Sequence, residues 1–414
     1  MDNKFLKTFY LFASTQFIST LLFSLGGFLI ARLMDPVVYG RFNGLGIFVG
    51  YLSLLPMGVM NGLARDLPYE MGRGNMDLVY DYVKTSWITS IIIGCGAFSV
   101  VCYFLVRSII LKDSLAIFAY ACYAVTALFQ IANKVFLPIL YRTANDFKRL
   151  SALILIQSAA SLLLVSIVYT SNYKGLSIRY IAMYLLEFFL LFRFKSIPFK
   201  GKFKLPALKP LFKTGFPIYV VGQISPLWIT LQSSLIFAWG GSKAFGLYTI
   251  VIMTNTFLSL IPLSLSQMIY PQMSIAYGEG SSKMGIIKIG VRAAKNALFL
   301  SIIFGVIAWF ALPYVLKLAL PKYVGATRAA QFAILAPLLT NVGVLNNYFN
   351  VVKKQIPYFF TILTGVICSL LFLYIFYRAK GFQLYIFPIA NFLGILIQYT
   401  CGFIYMYKDA RRDK

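Results

Sequence analysis

Histidine is absent from the 414 residues, which removes the commonest proton shuttle and metal ligand before any motif is sought. Carboxylates are scarce as well, 12 Asp and Glu against 38 Lys and Arg, and none of them cluster at metal-ligand spacing. The five cysteines, Cys95, Cys102, Cys122, Cys368 and Cys401, all fall inside apolar runs. They show neither metal spacing nor a paired framework and read as buried hydrophobes. Long polar connections are missing too, so nowhere outside the apolar runs is there room to assemble a nucleophile, a base or a metal. An enzyme is therefore not expected, nor is a catalytic residue, a metal or a cofactor. Asp77 and Asp81, at helical i, i+4 spacing, read as a solvated helix face rather than a paired acid site.

What the chain does have is apolar surface: 60% of residues are hydrophobic and 12% charged, against about a quarter charged in soluble domains. A soluble chain of this kind would expose patches far beyond the few hundred Å² that monomers tolerate, so a bilayer is its solvent. The formal charge of +26 does not imply nucleic acid, because the basic residues are scattered and no separate module forms a groove.

A bilayer core of about 30 Å asks for roughly 20 apolar residues. Twelve segments qualify, near 9–31, 43–63, 86–106, 114–140, 150–170 and 176–194, then 214–239, 246–269, 294–317, 327–350, 357–377 and 383–407. The first is longer than the apolar region of a signal peptide and lacks a small-residue cleavage site, so it is expected to remain as a membrane helix. Placing both termini in the cytoplasm puts most of the lysines and arginines on the cytoplasmic side, in keeping with the positive-inside rule. The expected fold is all-α and polytopic. Residues 1–194 form an N-lobe of six spans, 195–213 a basic cytoplasmic linker, and 214–414 a C-lobe of six. The linker lies within "RFKSIPFKGKFKLPALKPLFK", Arg193 to Lys213, whose prolines and basic charge resist insertion and suit an electrostatic anchor on anionic lipids.

The halves repeat. "DPVVYGRF", Asp35 to Phe42, and "GSKAFGLY", Gly241 to Tyr248, each follow an apolar run and lie 206 positions apart. Lys7-Thr8 matches Lys213-Thr214, and Gly72-Arg73-Gly74 matches Gly278-Glu279-Gly280, at the same offset. "YRTANDF" from Tyr141 faces "VKKQIPY" from Val352 with the offset at 211, which sets Asn341 where Gln130 stands. Six spans per half is an even number, so both halves cross in the same direction, the parallel-repeat arrangement of transporters, with a site expected between the lobes. In the repeated turn, Asp35-Pro36 stops a helix, Gly40 permits a tight bend, and Tyr39 and Phe42 suit an interfacial belt.

The stretch "ARLMDPVVYGRFNGLGIFVGYLSLLPMGVMNGLARDLPYEMGRGN", Ala31 to Asn75, its echo in the second half and the twelve-span count resemble the Wzx-type flippases of the multidrug, oligosaccharidyl-lipid and polysaccharide exporter superfamily. The resemblance implies two six-helix lobes around a central basic cavity in a bacterial inner membrane. It implies a carrier that turns an undecaprenyl-pyrophosphate-linked sugar repeat from the cytoplasmic to the periplasmic leaflet. The partners it implies are that polyprenyl-linked oligosaccharide, membrane lipids, a polysaccharide polymerase and a chain-length regulator, and no nucleic acid. The physics agrees, since an unpaired ion in hydrocarbon costs several kcal/mol or more and a wet cationic cavity lowers that barrier.

Ionisable groups well inside the spans are functional candidates by default, and two stand out. Lys134 in the fourth span shares a helical face with Gln130 and Asn133. Glu187 in the sixth lies at similar depth, where the two can pair. Lys134 then serves the anion path and Glu187 is the candidate for ion coupling; the bland reading is a salt bridge that merely fixes two helices. The tenth span carries Asn341, Asn346, Asn347 and Asn350. Asn341 and Asn347 are candidate cavity groups for sugar hydroxyls, or else interhelical glue. At the cytoplasmic mouth, Arg65 and Arg292 are candidates for pyrophosphate, to which arginine offers a fork of donors. The rival within the superfamily is a multidrug exporter of small cations, whose cavity needs carboxylates; one Glu187 among several basic groups favours an anionic cargo. A membrane polymerase or transferase is the rival of another class.

Overall fold

The computed structural model describes residues 3–412; the side chains of residues 1–10, 13, 264, 267 and 271 lie outside the described set, and with them the side chains of Lys7 and Thr8 in the first repeat match. Lipid offers no hydrogen-bond partners, so a chain crossing it closes its backbone bonds within helices. Accordingly no strand occurs among the described residues. The chain runs as α1 (Asn3–Leu33), α2 (Pro36–Leu45), α3 (Phe48–Tyr51), α4 (Val59–Gly72), α5 (Met76–Ile110), α6 (Ser114–Ile131), α7 (Leu137–Thr143) and α8 (Phe147–Leu163). It continues as α9 (Val165–Arg193), α10 (Leu208–Gly278), α11 (Lys283–Ala319), α12 (Thr327–Ala333), α13 (Leu335–Thr340), α14 (Asn347–Val351), α15 (Gln355–Lys380) and α16 (Ile386–Arg411).

Among the described residues, nine helices are long and apolar enough to cross a membrane, or ten when the bent pair Pro36–Leu54 and Val59–Gly72 is taken as one span. The difference from twelve lies in how helices join. Gly241 adopts φ 69° and divides the 71-residue α10 into two rods. Asn172, at φ 51°, divides α9, whose first turns continue α8. With those breaks, each of the twelve expected segments has a helical counterpart.

The chain groups into two compact units, Met1–Met34 with Phe42–Thr230, and Asp35–Arg41 with Leu231–Lys414. The repeat is written into the backbone of both. Left-handed residues recur in register at Gly74 and Gly280, Asn145 and Lys353, and Asn172 and Gly381. The second pair lies 208 positions apart, which corrects the drifted register: Asn341 is the counterpart of Asn133, not of Gln130. Of the candidate spans the two most buried are also counterparts, Ser114–Thr143 and Pro321–Val351, each 56% buried, whereas Lys283–Ala319 is 11% buried. Polar residues on the first two therefore meet protein, and apolar ones on the third meet lipid.

In the second unit, the start of α2 crosses the turn of α10 just beyond Gly241. A Cβ on Gly40 would strike the carbonyl of Ser242 and the backbone of Gly246, and one on Gly246 would strike the carbonyl of Pro36. Gly40 is thus helical and permits close approach, not the expected bend. Asp35 Oδ1 does cap this start, accepting from the Val37 N–H at 2.8 Å. Tyr39, Phe42, Phe245 and Tyr248 are buried, so the expected interfacial belt is instead core. Phe42 belongs to the first unit, where its carbonyl accepts from Tyr123 Oη at 3.1 Å.

The basic linker is held against protein in the first unit. Asp81, expected on a solvated face, is buried; it accepts from the Lys202 N–H at 2.8 Å and pairs with Lys204 Nζ at 2.6 Å. Thr85 Oγ1 takes the Lys204 N–H at 3.1 Å, and Phe199 enters an aromatic cluster with Trp87, Phe136 and Phe192. Linker amides have no helical partners of their own, and a helix carboxylate supplies them. The cysteines also differ from expectation: Cys122 is buried, while Cys95 is exposed and the other three are half-buried. An apolar span has an outer face for lipid, and small apolar side chains serve there as well as inside.

Candidate functional site

Pro138, one residue into α7, has no N–H to give the carbonyl four residues back, that of Lys134. The chain widens there into a π turn, Ala132–Phe136, in which the Leu137 N–H reaches the Ala132 carbonyl. Such bulges concentrate at functional sites because they re-aim side chains. Here Asn133 turns inward, 1% exposed, while the Lys134 side chain stays 45% exposed.

Lys134 Nζ lies 2.7 Å from Glu187 Oε1, whose side chain is 9% exposed. The pairing foreseen from helix depth is present. Tyr184, one turn before Glu187, binds the group together. Its hydroxyl donates to Gln130 Oε1 at 3.1 Å, its carbonyl accepts from Asn133 Nδ2 at 2.9 Å, and its ring centroid sits 5.5 Å from Lys134 Nζ. Gln130, Asn133, Lys134 and Glu187 thus form one constellation in the first unit.

A cavity of about 110 Å³ opens beside it, lined by Asn133, Lys134, Arg142, Gln157 and Glu187 with apolar side chains around them. Asn133 Oδ1 is buried and has no hydrogen-bond partner among the described residues. A void of this size beside an orphan acceptor has room for a water to serve it. The lining holds two cations and one carboxylate already engaged by Lys134, so its net charge is positive. Gln157 and Tyr184 were not singled out from sequence; glutamine in an apolar span was the available signal for the first, and nothing distinguished Tyr184 among 28 tyrosines.

In the second unit, Asn341 is fully buried at the counterpart break, where α13 gives way to a 3-10 turn, Val342–Asn346. Its Nδ2 donates to the Pro337 and Leu338 carbonyls at 3.1 and 3.2 Å, and its Oδ1, like that of Asn133, has no hydrogen-bond partner among the described residues. Asn347 is half-buried and donates to Ser266 Oγ at 3.0 Å. Arg292 is exposed on α11, and Arg65 is exposed on α4 of the first unit. Sequence reading missed Arg179, buried in the inner limb of α9 with Nε and Nη2 each 3.1 Å from the Ser161 carbonyl.

No family model and no curated protein matches this sequence. Solved structures do. An inward-facing multidrug resistance MATE family transporter of the MOP superfamily is 15% identical, with 95% of each chain covered and a TM-score of 0.75. An outward-facing MATE family transporter is 15% identical over 98% of this chain and 96% of that one, TM-score 0.64. A MOP superfamily transporter from Pyrococcus furiosus, described as having a binding pocket of reverse polarity that suggests a different function, gives the same coverage, identity and score. The chain therefore has the polytopic, all-helical fold of MATE-type MOP transporters.

Proposed function

We propose that this protein is a MOP-type membrane transporter whose cargo carries an anionic headgroup, a polyprenyl-pyrophosphate-linked oligosaccharide turned from the cytoplasmic to the periplasmic leaflet. The observation that carries the reading is the charge of the cavity beside the π turn. Glu187, the one carboxylate there, is spent on Lys134, and Arg142 stands beside them without an ion pair among the described residues. Such a lining repels cations and welcomes phosphate. Lys134 exchanges its carboxylate partner for a phosphate oxygen as cargo enters, and the released Glu187 becomes the group that protonates or binds a coupling cation. Asn133, Gln130 and Gln157 offer amides to sugar hydroxyls, Asn341 and Asn347 do so in the second unit, and Arg65 and Arg292 draw pyrophosphate to the mouth. A polymerase and a chain-length regulator act on the delivered units.

A second reading, a multidrug exporter, is favoured by the likeness to MATE structures. The two separate in cells. On deletion of the gene, the first reading expects lipid-linked repeat units to accumulate in the inner leaflet and surface polysaccharide to fall, with drug sensitivity unchanged. Unchanged glycan with heightened sensitivity to cationic drugs selects the second.

A further inference from the structure

The second unit holds a cavity of its own, which Gly325 borders close to the Leu247 side chain. It is an open cleft of about 660 Å³ between the end of α11, the segment leading into α12 and the connection before α16, where Lys317, Thr327, Arg328, Gln331, Gln383 and Tyr385 stand among apolar neighbours. The other end of α11 carries Lys283, paired with Asp409 at 3.1 Å, and 34 helical residues separate Lys283 from Lys317, about 50 Å of rise. The cavity thus opens at the membrane face opposite that ion pair.

Its chemistry is one-sided. No acid lines it, and Lys317 and Arg328 have neither an ion pair nor a hydrogen bond among the described residues. The Gln383 side chain and the Tyr385 hydroxyl likewise have no hydrogen bond among the described residues, while Gln331 donates its Nε2 to the Trp309 carbonyl at 3.0 Å and keeps its Oε1. The Tyr385 ring is held from behind by Phe332, itself edge-on to Trp309, with centroids 6.1 and 5.8 Å apart. Free cations, amides of both senses and a braced aromatic ring in a volume of this size are the makings of a small-molecule site for a polar, charged ligand. We infer that this cavity binds a polyhydroxylated anion, a sugar bearing a carboxylate or phosphate.

Two sources supply that chemistry, the glycan of the transported cargo and the glycerol-phosphate headgroup of an anionic lipid. Only the first rests on the proposed function. The test is equilibrium binding to the full chain in phosphatidylcholine nanodiscs, with three probes: a uronic-acid-containing disaccharide, lactose and inorganic phosphate. The acidic disaccharide is expected to bind at least tenfold more tightly than either of the others. Combined Lys317→Glu and Arg328→Glu should weaken it at least tenfold, the milder Lys317→Gln and Arg328→Gln pair several-fold, and Lys148→Glu, at an exposed position on α8, not at all. Competition by phosphatidylglycerol added to the disc assigns the site to the headgroup, and indifference to it assigns the glycan. Absence of binding, equal binding of lactose or phosphate, or affinity untouched by the charge changes overturns the inference. Binding requires no turnover, so its failure leaves the transport reading standing, and failed transport leaves this site standing.

Discussion

Neutralising Lys134 and Glu187 singly and together separates a helix clamp from a transport element. Removing one partner of a fully buried pair costs about 3–5 kcal/mol, because the other charge is stranded. An exposed pair is worth about 0.2–1 kcal/mol. Here Glu187 is nine-tenths buried and Lys134 nearly half exposed, so Lys134→Met, which strands the buried carboxylate, should destabilise by about 1–3 kcal/mol. Glu187→Leu leaves a lysine with access to solvent and should cost about 1 kcal/mol. The double variant strands nothing and should recover most of the stability, read as the temperature at which protein in nanodiscs loses its monodisperse peak. Transport should not recover with it. A charge-assisted contact of Lys134 with a phosphate oxygen is worth about 1.5–3 kcal/mol, and at about 1.4 kcal/mol per factor of ten its loss slows initial translocation roughly 10- to 100-fold. A double variant that is both stable and fully active would refute the transport role and leave a salt bridge that only joins two helices.

Two further outcomes test the surrounding structure. Gly246→Leu places a side chain against the Pro36 carbonyl, and overpacking of this kind costs about 1–3 kcal/mol or more; the yield of folded protein should fall sharply, while Gly222→Leu, at a position with open space, should leave it unchanged. Phe199→Ala and Asp81→Asn together remove the aromatic anchor and the carboxylate that hold the linker. Tryptic cleavage at Lys200 and Lys202 should then quicken by about tenfold, as expected if cutting tracks the population of the released linker; an unchanged rate would mean the linker is held elsewhere.

The helical, twice-built character of the chain was legible because hydrocarbon demands long apolar segments and left-handed turns favour the glycines and asparagines that punctuate them. The depth of Lys134 and Glu187 was legible for the same reason, being a matter of counting residues from a span end. Lateral packing was not. Gly40 reads equally as a bend or as a place for close approach, and only its position against Gly246 decides. Asp81 looked solvated because its partners, the Lys202 amide and Lys204, are about 120 positions on. Arg179 stood near the edge of its expected span until the break at Asn172 put it two turns inside. Matching asparagines failed for a related reason: the insertion between halves shifts register by a few residues, and the left-handed Asn145 and Lys353 are what pair Asn133 with Asn341.

On the proposed function, the net positive cavity beside Lys134 passes an anionic headgroup through the membrane. Translocation in proteoliposomes of a polyprenyl-pyrophosphate-linked oligosaccharide carrying a fluorophore, followed by loss of protection from an impermeant quencher, tests this. Protein-dependent flipping is expected, abolished by Lys134→Glu with the protein still folded and inserted. Flipping no faster than in empty liposomes, alongside uphill movement of a lipophilic cation by the same preparation, would contradict it.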